Sequence, residues 1–180
     1  MPRIPYHADV DLEGTDLIQT IRQKRGGKLL HIDRMLMHSQ PLIQGWAAFL
    51  GAVRNDLQLN AKYRELAILV VSARNQTGYE LHHHLKPFLA AGGTQSQYDA
   101  MTNLEQARDS RVLFDPTERA VINLAMELTD SPNATDDCLQ AARVALGSDQ
   151  QAVELVALIG AYNMVSRVIN TLDIQAEDNR

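Results

Sequence analysis

Helix termini are the plainest structural signal in this chain, and they constrain it to a bundle. A Ser or Thr followed three residues later by Glu or Gln can satisfy two orphan backbone donors at a helix start. Thr77 with Glu80, Thr94 with Gln97 and Ser148 with Gln151 all have this spacing. Asp115-Pro116-Thr117-Glu118 adds an Asp cap with proline at the first helical position, where no N–H is needed. Gly92-Gly93 and Gly147 stand where helices end, because glycine adopts the left-handed C-terminal conformation without strain. No segment sustains the two-residue alternation of a half-buried strand. The expected fold is all-α, a multi-helix bundle of eight or nine helices.

The punctuation places the elements. Thr15-Asp16 is expected to start a first helix that stops at Gly26-Gly27, and a second covers roughly residues 28–38. Ser39-Gln40-Pro41 opens a third, carrying Trp46, Phe49, Leu50 and Val53. The fourth is expected from Ala61 to Arg74 and the fifth from Thr77 to Ala91. Residues 149–172 form one long helix, apolar on several faces, suited to a core position or a subunit contact. No linker rich in Pro, Gly or Ser divides the chain, so the expected organisation is a helical arm over 1–34 and one helical domain over 35–180. A faint internal echo sets Glu65-Leu66-Ala67-Ile68-Leu69 beside Glu154-Leu155-Val156-Ala157-Leu158.

Composition excludes several partners. Hydrophobic residues are 45% and charged residues 22% of 180, normal for a globular protein with a sizeable core. The net charge of −5, without any basic run, argues against nucleic acid and against anionic membrane surfaces. Cys138 is the one cysteine, so neither an intramolecular disulfide nor a Cys-based metal site can form, and a cytoplasmic location is expected. The opening residues lack the apolar core of a signal peptide. No stretch is expected to reach the roughly 18 apolar residues that span a bilayer.

Chemistry concentrates in Glu65 and in Thr77-Gly78-Tyr79-Glu80-Leu81-His82-His83-His84. Glu80 and His84 are four apart, which puts them on one helix face, and Glu65 lies 19 residues before His84 on the preceding helix. A carboxylate that orients an imidazole, with a second carboxylate nearby, is the minimum equipment for proton transfer. Plainer readings stand beside it. Glu80 could complete the capping box begun at Thr77. His84 borders the apolar stripe of Leu81, Leu85, Phe88 and Leu89, and could be a hydrogen-bonded core residue. Glu65 could be a first-turn acid paired with Arg64. Glu65, Glu80 and His84 could also supply metal ligands, but the HExxH pattern is missing and the expectation is no metal. Cys138 follows two aspartates at a helix start and is read as an inert buried thiol. His31 and His38, seven apart, are read as incidental.

The segment from Arg64 to Val71, then Tyr79-Glu80-Leu81-x-x-His84, then Ala90-Ala91-Gly92-Gly93, resembles the carboxymuconolactone decarboxylase family of the alkylhydroperoxidase D-like superfamily. Glu154-Leu155-Val156, the run from Gly160 to Val165, and Asn170 are similar to that family's second half. The resemblance covers roughly residues 35–172. It implies an alkylhydroperoxidase D-like helical bundle assembled as a homo-oligomer, whether trimer, hexamer or dimer. In the hydroperoxidase branch a Glu precedes a Cys-x-x-Cys pair and a His. Here Glu65 and His84 match, while Thr77 and Glu80 stand at the two cysteine positions. A dithiol mechanism is thereby removed, and the resemblance points to the decarboxylase-like branch. It implies His84 as general acid or base, tuned by Glu80 and Glu65, with no cofactor. Tyr79 and Thr77 are expected to line the substrate site, and Arg64 or Arg74 to meet an anionic substrate. Peroxidase-type antioxidant activity and non-catalytic binding of a small molecule remain as alternatives.

Overall fold

The computed structural model describes residues 1–8 and 16–177. Thr15, the expected start of the first helix, lies outside them. Among the described residues there are ten α-helices, one 3-10 turn and no strand. The chain falls into two compact units, residues 1–55 with 168–180, and residues 56–167.

The first unit holds α1 (Asp16–Lys24), α2 (His31–Leu36) and α3 (Gln40–Asn55). The second helix is thus shorter than the expected span. Ile43, Trp46, Leu50 and Val53 recur at three- and four-residue steps along α3 and are its buried stripe. His31 and His38, read from sequence as incidental, hold the terminal segments. His31 Nδ1 lies 2.8 Å from the Gln175 carbonyl, and His38 Nε2 lies 2.8 Å from the Pro5 carbonyl. Tyr6 stacks on the His31 ring at 4.5 Å.

The second unit contains α4 (Ala61–Arg74), α5 (Gly78–Ala90), α6 (Gln95–Asp99), the 3-10 turn Ala100–Thr102, α7 (Leu104–Asp109), α8 (Pro116–Asp130) and α9 (Asp136–Leu146). The tenth helix, α10 (Asp149–Leu172), contributes its residues through Arg167. At the centre is α4, which packs against both α5 and α8. Eight consecutive residues, Glu65 to Ser72, are buried. A helix buried on every face is a core helix, and each Leu, Ile or Val side chain there contributes about 1.5–3 kcal/mol. The Lys62 N–H donates to Asn60 Oδ1 at 2.9 Å, which fixes where α4 starts.

A three-residue turn makes α4 and α5 a hairpin. The Gln76 N–H reaches the Ala73 carbonyl at 3.1 Å, and the Thr77 N–H reaches the Ser72 carbonyl at 2.8 Å. This is a Schellman ending with glutamine, φ 55°, at the left-handed position. The far end of α5 closes in the same way through Gly92 at φ 94°. Next to it, Gly93 lies so close to the Phe88 ring that an added Cβ would collide with it.

The expected capping boxes divide. Thr94 with Gln97 forms reciprocally, and the expected Asp115 cap forms with Glu118 completing a box. Ser148 accepts from the Gln151 N–H at 3.4 Å. Thr77 makes no side-chain cap bond. Its backbone, at φ −96° and ψ 84°, is not in the extended region usual for an N-cap, and Glu80 turns towards His84 instead of back. A second correction concerns α10. Its 24 residues, with a mean hydropathy of 1.5 over 18 of them, are long and apolar enough to cross a membrane. Yet 56% of that window is buried within the protein, as in a core helix.

Candidate active site

The α4–α5 hairpin sets Glu65 against His84. Glu65 stands one turn into α4 and His84 two turns into α5, so antiparallel packing brings them level. His84 Nδ1 lies 2.6 Å from Glu65 Oε2. On the opposite edge of the ring, Nε2 lies 3.1 Å from Glu80 Oε2, one turn earlier on α5. Tyr162, from the middle of α10, brings its hydroxyl to 3.2 Å from the same Nε2 and sets its ring edge-on to the imidazole. All four residues are buried, with His84 the most exposed at 8%. Behind Glu65, Arg64 Nε lies 3.4 Å from the other carboxylate oxygen, Oε1.

A carboxylate only accepts hydrogen bonds, so Glu65 fixes the ring proton on Nδ1. Burial alone would push the imidazole pKa down. The hydrogen bonds to Glu65 and Glu80, and the charge of both, outweigh it and hold the pKa above the ordinary 6.5. With Arg64 behind Glu65, a protonated His84 makes the cluster neutral overall, whereas loss of that proton leaves an excess negative charge.

The two ring nitrogens point at carboxylates on opposite sides, so the donors do not converge on one point. Among the described residues no group of three His, Cys, Asp or Glu side chains is arranged to hold a metal ion. A cavity of about 410 Å³ in the first unit, walled by Trp46, Ile43 and Leu50, offers no comparable pair. Its carboxylate, Asp33, is engaged by Arg25 at 3.3 Å and by the Leu30 N–H at 3.0 Å.

Residues 40–103 match the carboxymuconolactone decarboxylase family model. Over that segment, about a third of the chain, the protein is similar to this family. The fold agrees with solved structures across nearly the whole chain. An uncharacterized peroxidase-related protein from Silicibacter sp. TM1040 superposes with a TM-score of 0.79 at 18% identity, over 98% of this chain and 94% of that one. A second peroxidase-related protein, from Ralstonia eutropha JMP134, gives 0.81 at 20% identity, over 98% and 93%. The debrominase Bmp8, solved as a cysteine-to-alanine variant in complex with 2,3,4-tribromopyrrole, gives 0.77 at 13% identity, over 96% and 90%. No curated protein sequence matches the chain.

The remaining residues expected at a superfamily site fall in different places. Tyr79 is buried, and its ring lies tilted against His83 with centroids 4.4 Å apart. Thr77 is fully buried at the hairpin turn. Arg74 lies at the end of α4, roughly 13 Å along the helix from Glu65. It is held by Asp130 through two bonds of 2.7 Å and by Glu105 at 2.8 Å. These acids raise its pKa further, chiefly through the Asp130 hydrogen bonds. Cys138 is buried and accepts from Asn123 Nδ2 at 3.1 Å. Burial, reinforced by Glu127, pushes its thiol up to about 11, which keeps it protonated at neutral pH. Sequence reasoning gave Tyr162 no role. The available signal was a tyrosine within an apolar helix, since a buried phenol needs a hydrogen-bond partner.

Proposed function

We propose that this protein is a cofactor-independent acid–base enzyme of the decarboxylase-like kind, acting on a small carboxylated or lactone-type substrate through His84, Glu80 and Glu65. The buried 2.6 Å contact between Glu65 and His84 carries the reading, because it holds an imidazole in one tautomer beside a second carboxylate. In a decarboxylation the bond to the carboxylate carbon breaks and carbon dioxide leaves. The electron pair passes into an adjacent conjugated carbonyl as an enolate. The imidazolium of His84 then protonates the enolate at carbon, while Glu65 steadies the ring through Nδ1, and the proton is regained from water. Arg64 is the cation nearest the cluster and is assigned to a substrate carboxylate. Arg74, engaged by Asp130 and Glu105, is not carried into the proposal.

Turnover of γ-carboxymuconolactone, followed by carbon dioxide release, tests the reading with His84→Ala as the paired control. Release by the unsubstituted protein and loss in the variant would support it. Full activity in the variant would remove His84 from the chemistry.

The names of the peroxidase-related neighbours favour a second reading, consumption of peroxide. Its thiol would have to be Cys138, whose raised pKa opposes it. Peroxide loss that vanishes in Cys138→Ser would establish this reading against the first. A homo-oligomer is part of the proposal as well. Val153, Val156 and Met164 share one face of α10 and are all exposed, with Val153 at 69%. A Val153→Glu substitution is expected to lower the assembled mass measured by light scattering.

A further inference from the structure

Nε2 of His84 faces two groups at nearly equal range. The Tyr162 hydroxyl is at 3.2 Å and Glu80 Oε2 at 3.1 Å. A ring nitrogen has a single in-plane lobe, holding either one lone pair or one N–H, so it serves one of these partners fully at a time. The two differ in what they offer. A hydroxyl can donate its proton, whereas an ionised carboxylate can only accept. With Nδ1 committed to Glu65, the charge state of the ring decides what Nε2 requires.

We propose that Tyr162 is a positioning residue, and that its hydroxyl and the Glu80 carboxylate are alternate partners of His84 Nε2, Tyr162 for the neutral ring and Glu80 for the charged one. In the neutral ring the Nε2 lone pair accepts from the Tyr162 O–H. When Nε2 gains a proton, that N–H donates to Glu80 and the Tyr162 hydroxyl is released. The exchange moves no backbone and needs no second histidine. It gives both nitrogens of the buried imidazole a hydrogen-bond partner in either charge state. The ionisable groups around the ring are Glu65 and Arg64 from α4, Glu80 from α5 and Tyr162 from α10. His83, next on α5, is turned against Tyr79.

The inference rests on the proton-transfer reading above, but its test reads the ring itself and needs no substrate. The full-length protein, labelled with 15N at histidine, is titrated by NMR as unsubstituted protein, Tyr162→Phe and Glu80→Gln, with His84→Ala to assign the resonance. The Tyr162→Phe change keeps the ring edge-on to the imidazole and removes only the hydroxyl. It takes a bond from the neutral state, so the protonation constant of His84 is expected to rise roughly two- to tenfold. Glu80→Gln leaves an acceptor oxygen but takes the negative charge that favours the charged ring, so the constant is expected to fall roughly tenfold. Shifts of opposite sign support the alternation. A fall or no change in Tyr162→Phe overturns it, and so does a rise in Glu80→Gln. Absence of turnover with an intact pair of opposite shifts would remove the proposed reaction and leave this inference standing.

Discussion

The second unit buries glutamates in two settings, and they are held in opposite ways. Glu118, on α8, is surrounded by groups that hold their protons. Lys62 Nζ sits 2.5 Å from Oε1, Gln97 Nε2 lies 3.2 Å from both oxygens, and the Asp115 N–H donates to Oε2 at 2.9 Å. A cation, a carboxamide and a backbone amide saturate that carboxylate. Glu65 and Glu80 instead share an imidazole between them. Both arrangements set each buried carboxylate against a group that can carry positive charge. Only the second contains an imidazole, a group that can both give up and regain a proton. Burial of acids therefore marks structure in one place and chemistry in the other, and the nature of the donors tells them apart.

The largest expected contrast is in activity. His84→Ala is expected to lower kcat by at least about 100-fold, the usual span of a general acid or base, while helicity by circular dichroism is kept. Glu118→Gln, made as its counterpart, is expected to change kcat only through stability. A comparable loss in both would erase the distinction between the clusters. Next in size is a stability effect at the structural site. Glu118→Ala removes half of the α8 capping box and the partner of Lys62, and is expected to cost about 2–4 kcal/mol in urea unfolding. The figure lies below that for a fully buried pair because Lys62 is 25% exposed.

A smaller effect separates the clusters by pH. The folded-state pKa of His84 is raised, so the stabilisation it contributes is complete below about 6.5, its ordinary value, and is lost as the pH climbs through the folded-state value. Unfolding free energy is expected to decline over that window in the unsubstituted protein, at about 1.4 kcal/mol for each unit between the two values. The decline should be absent in His84→Gln and present in Glu118→Gln. The smallest effect concerns the hairpin that aligns the catalytic candidates. Gln76 holds φ 55°, a conformation that costs a residue with a side chain about 1 kcal/mol or more, so Gln76→Gly is expected to stabilise the fold by roughly that amount. A loss of stability there would mean that the glutamine side chain itself fastens the turn.

Much of this was legible in the sequence because helix caps are local. The span expected for α4, Ala61 to Arg74, is the one that forms, and the cap at Asp115 formed as written, with Glu118 completing a box around it. The same four-residue signature misled at Thr77, because a cap requires Glu80 to fold back and His84, one turn on, competes for its carboxylate. The repeated Glu-Leu segment shows how little such a pattern fixes by itself. Glu65 meets an imidazole, whereas Glu154 accepts the Leu59 N–H at 2.7 Å and a Gln150 amide at 2.9 Å. Tyr162 could not be assigned from local pattern, since 78 residues separate it from the histidine it touches. Arg74 was placed in a substrate role by charge alone, and its nearest acids are Asp130 and Glu105.

The central claim is that Glu65 holds the proton of His84 on Nδ1 and, with Glu80, keeps the ring basic despite its burial. The 15N shifts of the His84 ring, titrated in the unsubstituted protein and in Glu65→Gln, test it most directly. The account predicts a protonated Nδ1 on both sides of a transition lying above 6.5, and a transition moved down in the variant. A transition below 6.5 that is indifferent to Glu65→Gln would contradict it.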